Sequence, residues 1–318
     1  MHMTMATIDS GRSPVRRVSR PCKALAAPAC LALVGLLLSA TSPASAATTA
    51  GILAAAPAAD WRRIDDAHTL YLELPRGRVI IELEPALAPR TVANIEQLAR
   101  LHWYDGLAVD RVQDGFVAQW GDADSKRPVP AALQRLQPEF SVPLAADAYT
   151  PLADRDGYAA QVGFVHSFPV ARDPATGQGW LTHCYGSVGV GRDNDPATGN
   201  GAELYAVIGH APRQLDRNVV VVGRVRQGTE LLASLPRGGA EMGFYRNPKH
   251  RVPIRSVHLA SELPAAARTP LEVLRSDSDS FAQLIEARRN RRDAFYVQPA
   301  GYIDLCSVML PVRAPPHR

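Results

Sequence analysis

The sequence predicts a mainly β protein with a few short helices, and three features carry that prediction. Two pairs of β-rich runs flank tight-turn residues, Pro75-Arg76-Gly77 in one case and Asp114-Gly115 in the other. Further short β-rich runs recur after residue 185. Helical periodicity is confined to brief stretches, the clearest placing Val92, Ile95, Leu98 and Ala99 on one face behind Ala88-Pro89.

The first 46 residues read as an address. Arg12, Arg16, Arg17, Arg20 and Lys23 face only Asp9, then an apolar run from Ala24 to Ala40 leads to Pro43 and Ala44-Ser45-Ala46. A basic start, a short apolar stretch and a small-residue exit form the layout of a cleavable secretory leader. The expectation is export with cleavage after Ala46, no membrane span in the mature chain, and a bacterial periplasm as destination. Removing five of 35 basic and one of 31 acidic residues leaves 30 of each, so the mature chain is formally neutral and nothing points to nucleic acid. Cys22 and Cys30 leave with the leader, while Cys184 and Cys306 remain. In an oxidising compartment these two pair, or they stay as small buried thiols; the sequence leaves both open.

From residue 47 the chain divides into a lead-in (47–66), a main domain (67–262) and a C-terminal extension (263–318). The Ala-rich stretch 47–59 reads as loose. The hairpin of 69–83 is followed by the helix from Ala88 and then by Tyr104-Asp105-Gly106. The second hairpin places Arg111 beside residues 116–119, so a guanidinium, Phe116 and Gln119 share one sheet face. Such a trio grips a carbonyl next to an apolar group. The stretch 125–185 is rich in Pro, Gly and Asp and reads as a long irregular connection, with Phe164, Phe168 and Trp180 as anchors onto the main domain. His166 and His183-Cys184 lack a second ligand pair at metal-binding spacing, so no zinc site is expected.

Order resumes at 185–192, where Gly189 and Gly191 would let a backbone approach closely, and continues through 201–208, 215–225 and 254–259, with a short helical turn over 228–235. In the extension, Ser278 caps a predicted helix bearing Phe281, Leu284 and Ile285 on one face. Arg288, Arg289, Arg291 and Arg292 crowd its end, where cations suit the helix dipole. Residues 295–297 and 302–310 read as strands, and the apolar content of the extension predicts that it packs on the main domain.

The second hairpin resembles the signature of the cyclophilin-type peptidyl-prolyl isomerases, F-H-R followed by a turn and G-F-x-x-Q-G-G-D. Arg111, Gly115, Phe116, Gln119, Gly121 and Asp122 match; Val109, Asp110 and Trp120 stand where the family has Phe, His and Gly. The order strand, turn, strand, A-P-R-T-V-A-N helix repeats the family opening. Residues 201–208 are similar to its G-S-Q-F-F-I strand, and 215–225 to its L-D-G-K-H-V-V-F-G-K-V segment. Four motifs in the right order cover about residues 67–260.

The resemblance implies a closed eight-stranded antiparallel barrel capped by helices, with a groove on its outer face; the C-terminal α/β extension lies beyond the family's usual end. It implies isomerisation of X–Pro bonds, which needs no nucleophile, metal or cofactor. Arg111 would donate to the twisting amide and Gln119 would anchor the substrate backbone. Phe116, Val117, Tyr205 and Leu215 would hold the proline ring, over a floor at Gly191. Glu203 would pair with Arg111 and orient it. Gln214 replaces a family Trp or Phe and Val219 a frequent His, so the pocket loses an aromatic and a polar rim group. The expected partners are proline-containing chains, with weak binding of cyclosporin-like ligands. The alternative is a cyclophilin-shaped module that holds such chains but barely turns them.

Overall fold

The computed structural model describes residues 48–122, 124–293 and 295–316; the leader and its cleavage point lie outside the described residues. Nine antiparallel strands form one curled sheet. Their order is Val252–Pro253, Ala108–Val112, Val117–Gly121, Leu204–Val207, Ser187–Val190, Val221–Gln227, Gly77–Leu83, Thr69–Leu74 and Ser256–Leu259. Strand alternation explains how its first hairpin is buried on both faces. Leu70, Leu72, Leu74, Val79, Ile81 and Leu83 point into the curl, while Tyr71 and Ile80 point out and are covered by Leu271 and Val273 of the C-terminal extension.

The expectation of a closed eight-stranded barrel is corrected. The sheet has nine strands and an open order, with Val252–Pro253 at one end and Ser256–Leu259 at the other. These two are pieces of one segment. At their junction the Ile254 backbone pairs with Gly106 and Leu107, and the Arg255 N–H turns to the Glu73 carbonyl. The segment therefore serves the two edges in succession instead of bonding along both sides at once.

Helix Pro89–Arg100 lays Val92, Ile95, Leu98 and Ala99 on the core inside the curl. Ala88 supplies no capping side chain. The buried Glu139 carboxylate does so instead, accepting from the Arg90 and Thr91 N–H groups at 3.0 and 2.8 Å. The long connection thus closes one helix end.

That connection is not irregular, as the sequence suggested. It holds a five-stranded antiparallel sheet in the order Val142–Pro143, Gln178–Leu181, Phe168–Asp173, Gln161–Val165, Thr150–Leu152. Pro143 and Pro151 sit in its two edge strands, where a missing N–H is tolerated. A tight two-residue link joins the central strands at His166 and Ser167, both at positive φ (47° and 65°). Ser167 is held there by hydrogen bonds with Leu274 and Ser276. Phe168 packs with Leu87 and Val221 of the main domain, but Phe164 and Trp180 pack with Phe281, Leu284 and Leu305 of the extension.

The lead-in is likewise ordered. Thr48 caps helix Thr49–Ala55, whose Ile52 is buried in the same cluster as Phe281, and Trp61–Arg63 pairs with Glu272–Leu274. Helix Asp279–Arg289 begins at Ser278, whose hydroxyl accepts from the Phe281 N–H at 3.2 Å. The strands expected at 295–297 and 302–310 do not form. Phe295 and Val297 are exposed on a turn, and Asp304 caps a short 3-10 turn at Leu305–Ser307; only Val312–Arg313 pairs, with Glu272–Leu274. Cys184 and Cys306 form a disulfide with 5.0 Å between Cα atoms. Closing so long a loop stabilises by up to ~4–5 kcal/mol in the chain-entropy account. Among the described residues no helix is long and apolar enough to cross a membrane.

Candidate active-site groove

The groove is built on one row of residues that crosses four neighbouring strands. Arg111 pairs with Gln119, Gln119 with Tyr205, and Tyr205 with Gly189. The row faces outward because its strand neighbours Val112, Ala118, Trp120, Leu204 and Ala206 face the core. A bulge makes this possible in the first strand. Val109 opposes Trp120 and Arg111 opposes Gln119, so Asp110 is the extra, unpaired residue, and both Val109 and Arg111 keep their faces.

An open cavity of about 1120 Å³ lies over the row. Arg111, Phe116, Val117, Gln119 and Gly191 line it, as do Glu203, Tyr205, Leu215 and Val219. Gln214 does not; it is exposed on a 3-10 turn, Arg213–Leu215, whose Leu215 turns inward in its place. Phe116 and Val219 pack against buried Val117, Tyr205 and Val207, giving an apolar patch beside the guanidinium.

Arg111 is only 8% exposed, yet among the described residues no carboxylate hydrogen-bonds it. Its Nη1 donates to Gln119 Oε1 at 2.9 Å, its Nη2 to Gln113 Oε1 at 2.5 Å, and its Nε to the Met242 carbonyl at 2.7 Å. Three of five N–H groups are thus fixed by neutral acceptors, and two remain for a ligand. Burial pulls its pKa down, with the nearby Asp110 charge opposing. The guanidinium carbon stands 5.6 Å from the Phe116 ring centre and 5.4 Å from that of Phe244.

The expected Arg111–Glu203 pair is corrected. Glu203 instead accepts from Gln119 Nε2 at 3.3 Å, so Gln119 stands between the two charges. Burial raises the Glu203 pKa, which further weakens any case for a strong ion pair. Gly189 also differs from expectation. A Cβ there would lie 2.3 Å from the Tyr205 hydroxyl, so this glycine makes room for the tyrosine and not for a substrate backbone. Gly191 does line the cavity, and a Cβ there would crowd Glu203 Cβ at 2.8 Å.

Three contributing residues escaped sequence reasoning: Gln113, Met242 and Phe244. The last two come from a Gly/Pro-rich loop whose backbone adds to the Arg111 strand, with Gly238 N–H on the Val112 carbonyl and Tyr245 N–H on that of Asp110. Gly243, at φ +83°, lets this loop pass Gln113. Nothing in the loop's spacing signals that it would reach the groove. Phe244 returns an aromatic to a groove that lost one at Gln214. Among the described residues no cluster of His, Cys, Asp and Glu is arranged to hold a metal.

The sequence model of the cyclophilin type peptidyl-prolyl cis-trans isomerases matches residues 69–259. Over 185 residues the chain is 28% identical to a probable peptidyl-prolyl cis-trans isomerase of Brucella suis, covering 58% of this chain and 80% of the relative. It is 26% identical over 220 residues to a peptidyl-prolyl cis-trans isomerase of Arabidopsis thaliana, covering 69% of this chain and 82% of that one. The crystal structure of a cyclophilin from Hirschia baltica superposes with a TM-score of 0.66 at 25% identity, over 84% of this chain and 97% of that one.

Proposed function

This chain belongs to the cyclophilin-type peptidyl-prolyl cis-trans isomerase family, and from that premise we propose that its groove accelerates rotation about X–Pro bonds in exported proteins. Resonance holds such a bond planar, with a rotation barrier of ~18–20 kcal/mol. In the twisted state the prolyl nitrogen becomes pyramidal and basic. A fixed donor aimed at it lowers the barrier, as a preorganised donor does for any developing charge. The observation that carries the reading is the Arg111 guanidinium: sheltered, held by three neutral acceptors, and set beside the Phe116, Tyr205 and Leu215 wall that suits a proline ring. Gln119 both steadies Arg111 and lines the groove, where it can anchor the substrate backbone.

Export through the leader of residues 1–46, into an oxidising compartment such as a periplasm, agrees with the Cys184–Cys306 disulfide. N-terminal sequencing of the exported chain should begin at Ala47 or within a few residues.

The deciding experiment is a proline-limited refolding assay beside a cis–trans peptide assay. Faster isomerisation that depends on Arg111 is expected. A second reading is favoured by the placement of Gln214 outside the groove: a module that holds proline-containing chains without turning them. Binding without rate enhancement in either assay would establish it. Under both readings cyclosporin-like ligands bind weakly, and a low-micromolar or tighter constant would contradict this.

A further inference from the structure

Behind the Tyr205 wall runs a buried chain of polar groups that the isomerisation does not use. The Tyr205 hydroxyl lies 2.8 Å from His183 Nε2, and His183 Nδ1 lies 2.9 Å from Asp216 Oδ1. His183 is fully buried. A carboxylate only accepts, so Nδ1 carries a proton towards Asp216, and Nε2 is left to pair with the Tyr205 hydroxyl. Arg213 then clamps Asp216 at 2.6 Å and reaches Asp156 of the long connection at 2.8 Å. His183 is therefore oriented from one side by a fixed acidic group, and on the other side it holds the groove wall.

The next residue along the chain is Cys184, joined to Cys306. The His183 carbonyl rests against Cys306 Sγ at 4.0 Å. Ile303, Leu305 and Val308 around that cysteine pack with Phe164 and Trp180, which ties the extension to the backbone that carries His183. On its other side the Tyr205 ring fills the space that a Cβ on Gly189 would take, so its hydroxyl end meets only that backbone there. The His183 hydrogen bond is the only one its hydroxyl makes among the described residues.

We propose that His183 positions Tyr205 and that the Cys184–Cys306 disulfide fixes His183, so that the thiol–disulfide state of this pair sets how tightly the groove holds a proline-containing chain. The proposal rests on the reading of the groove as an X–Pro site. The reductant is a dithiol. Its thiolate attacks Sγ of the partly exposed Cys306, and Cys184 leaves and takes a proton. The second thiol then closes the reductant's own disulfide and frees Cys306, so two electrons and two protons pass to the protein.

The test uses the full mature chain, oxidised or reduced with dithiothreitol, and an Ala-Ala-Pro-Phe peptide. KM and kcat are measured by cis–trans assay and Kd by calorimetry. Losing one positioning hydrogen bond should raise KM and Kd by about 2- to 10-fold. The value of kcat should change less than the binding constants, because Arg111 is untouched. Tyr205→Phe in the oxidised chain should raise Kd to a similar extent, and reducing that variant should then change nothing further. Should reduction unfold the chain, His183→Gln in the oxidised protein replaces it, with a Kd rise that vanishes in the Tyr205→Phe background. An inactive wild type would sink the isomerase reading alone, since Kd still reports on the lock. An unchanged Kd on reduction, or equal shifts with and without the Tyr205 hydroxyl, would overturn the proposal and leave the disulfide a plain staple.

Discussion

Arg111 and Glu203 do not touch; the Gln119 side chain lies between them, accepting from the guanidinium at 2.9 Å and donating to the carboxylate at 3.3 Å. An amide in this position passes on orientation without passing on charge. The guanidinium stays a full cation in a sheltered groove, where a neutralising ion pair would have blunted it.

Arg111→Ala should lower isomerase activity by about 10²–10³, the ~2.7–4 kcal/mol that a sheltered donor typically contributes to a transition state. The fold should persist, because the side chain stands on the outer face of the sheet. Arg111→Lys should recover only part, since an ammonium cannot serve Gln119, Gln113 and the Met242 carbonyl with one planar fork. Peptide kinetics with circular dichroism controls measure both. Activity within twofold of wild type in Arg111→Ala would remove the mechanism.

Glu203→Gln should keep most activity. Its amide oxygen can still accept from Gln119, and the carboxylate never reached Arg111. Gln119→Ala should cost more, because it removes the acceptor that fixes Nη1. A reversed order of the two variants in kcat/KM would mean that Glu203 acts by its charge.

Phe244→Ala tests the loop that sequence reasoning missed. The ring lines the groove and faces the guanidinium, and such contacts contribute about 0.5–2 kcal/mol. KM should rise with little change in melting temperature, since the ring is only half-buried. An unchanged KM would show that the loop merely borders the site.

The two hairpins were legible because alternation and turn residues agree, and they carried Arg111, Phe116 and Gln119 to one face. Tyr205 and Leu215 followed from the resemblance. The inserted sheet was hidden by its own edges: Pro143 and Pro151 read as breakers, and the His166-Ser167 link holds no Gly or Asn to announce it. The open order of the sheet was not legible either, since only the pairing partners of 252–259 reveal that one segment serves two edges in succession. The Arg111–Glu203 pair failed for a related reason. Both residues face outward, but the intervening strand puts Gln119 between them.

Asp110, the bulge residue beside Arg111, should make stability fall as pH rises. Its carboxyl is 2% exposed and neither oxygen has a hydrogen-bond partner among the described residues. It borders a cavity of about 450 Å³ that also meets Asp122, Asp124 and Arg251. Burial pushes its pKa up to about 7, the Glu203 carboxylate adds to this, and the Arg251 guanidinium opposes it. In the unfolded chain the group titrates near ~3.9. Between those values the folded protein keeps a proton that the unfolded chain has lost. The contribution of this group to stability is therefore greatest below about pH 4, declines towards pH 7 and levels off above it, by up to ~4 kcal/mol. Asp110→Asn keeps the shape and cannot ionise. Denaturant unfolding of both proteins at pH 4.5 and pH 8 isolates the effect from every other titrating group. The variant should gain on wild type by most of that amount at pH 8 and by little at pH 4.5. Parallel stability curves would show that Asp110 is ionised in the folded chain, with a cation or water in the cavity meeting its charge.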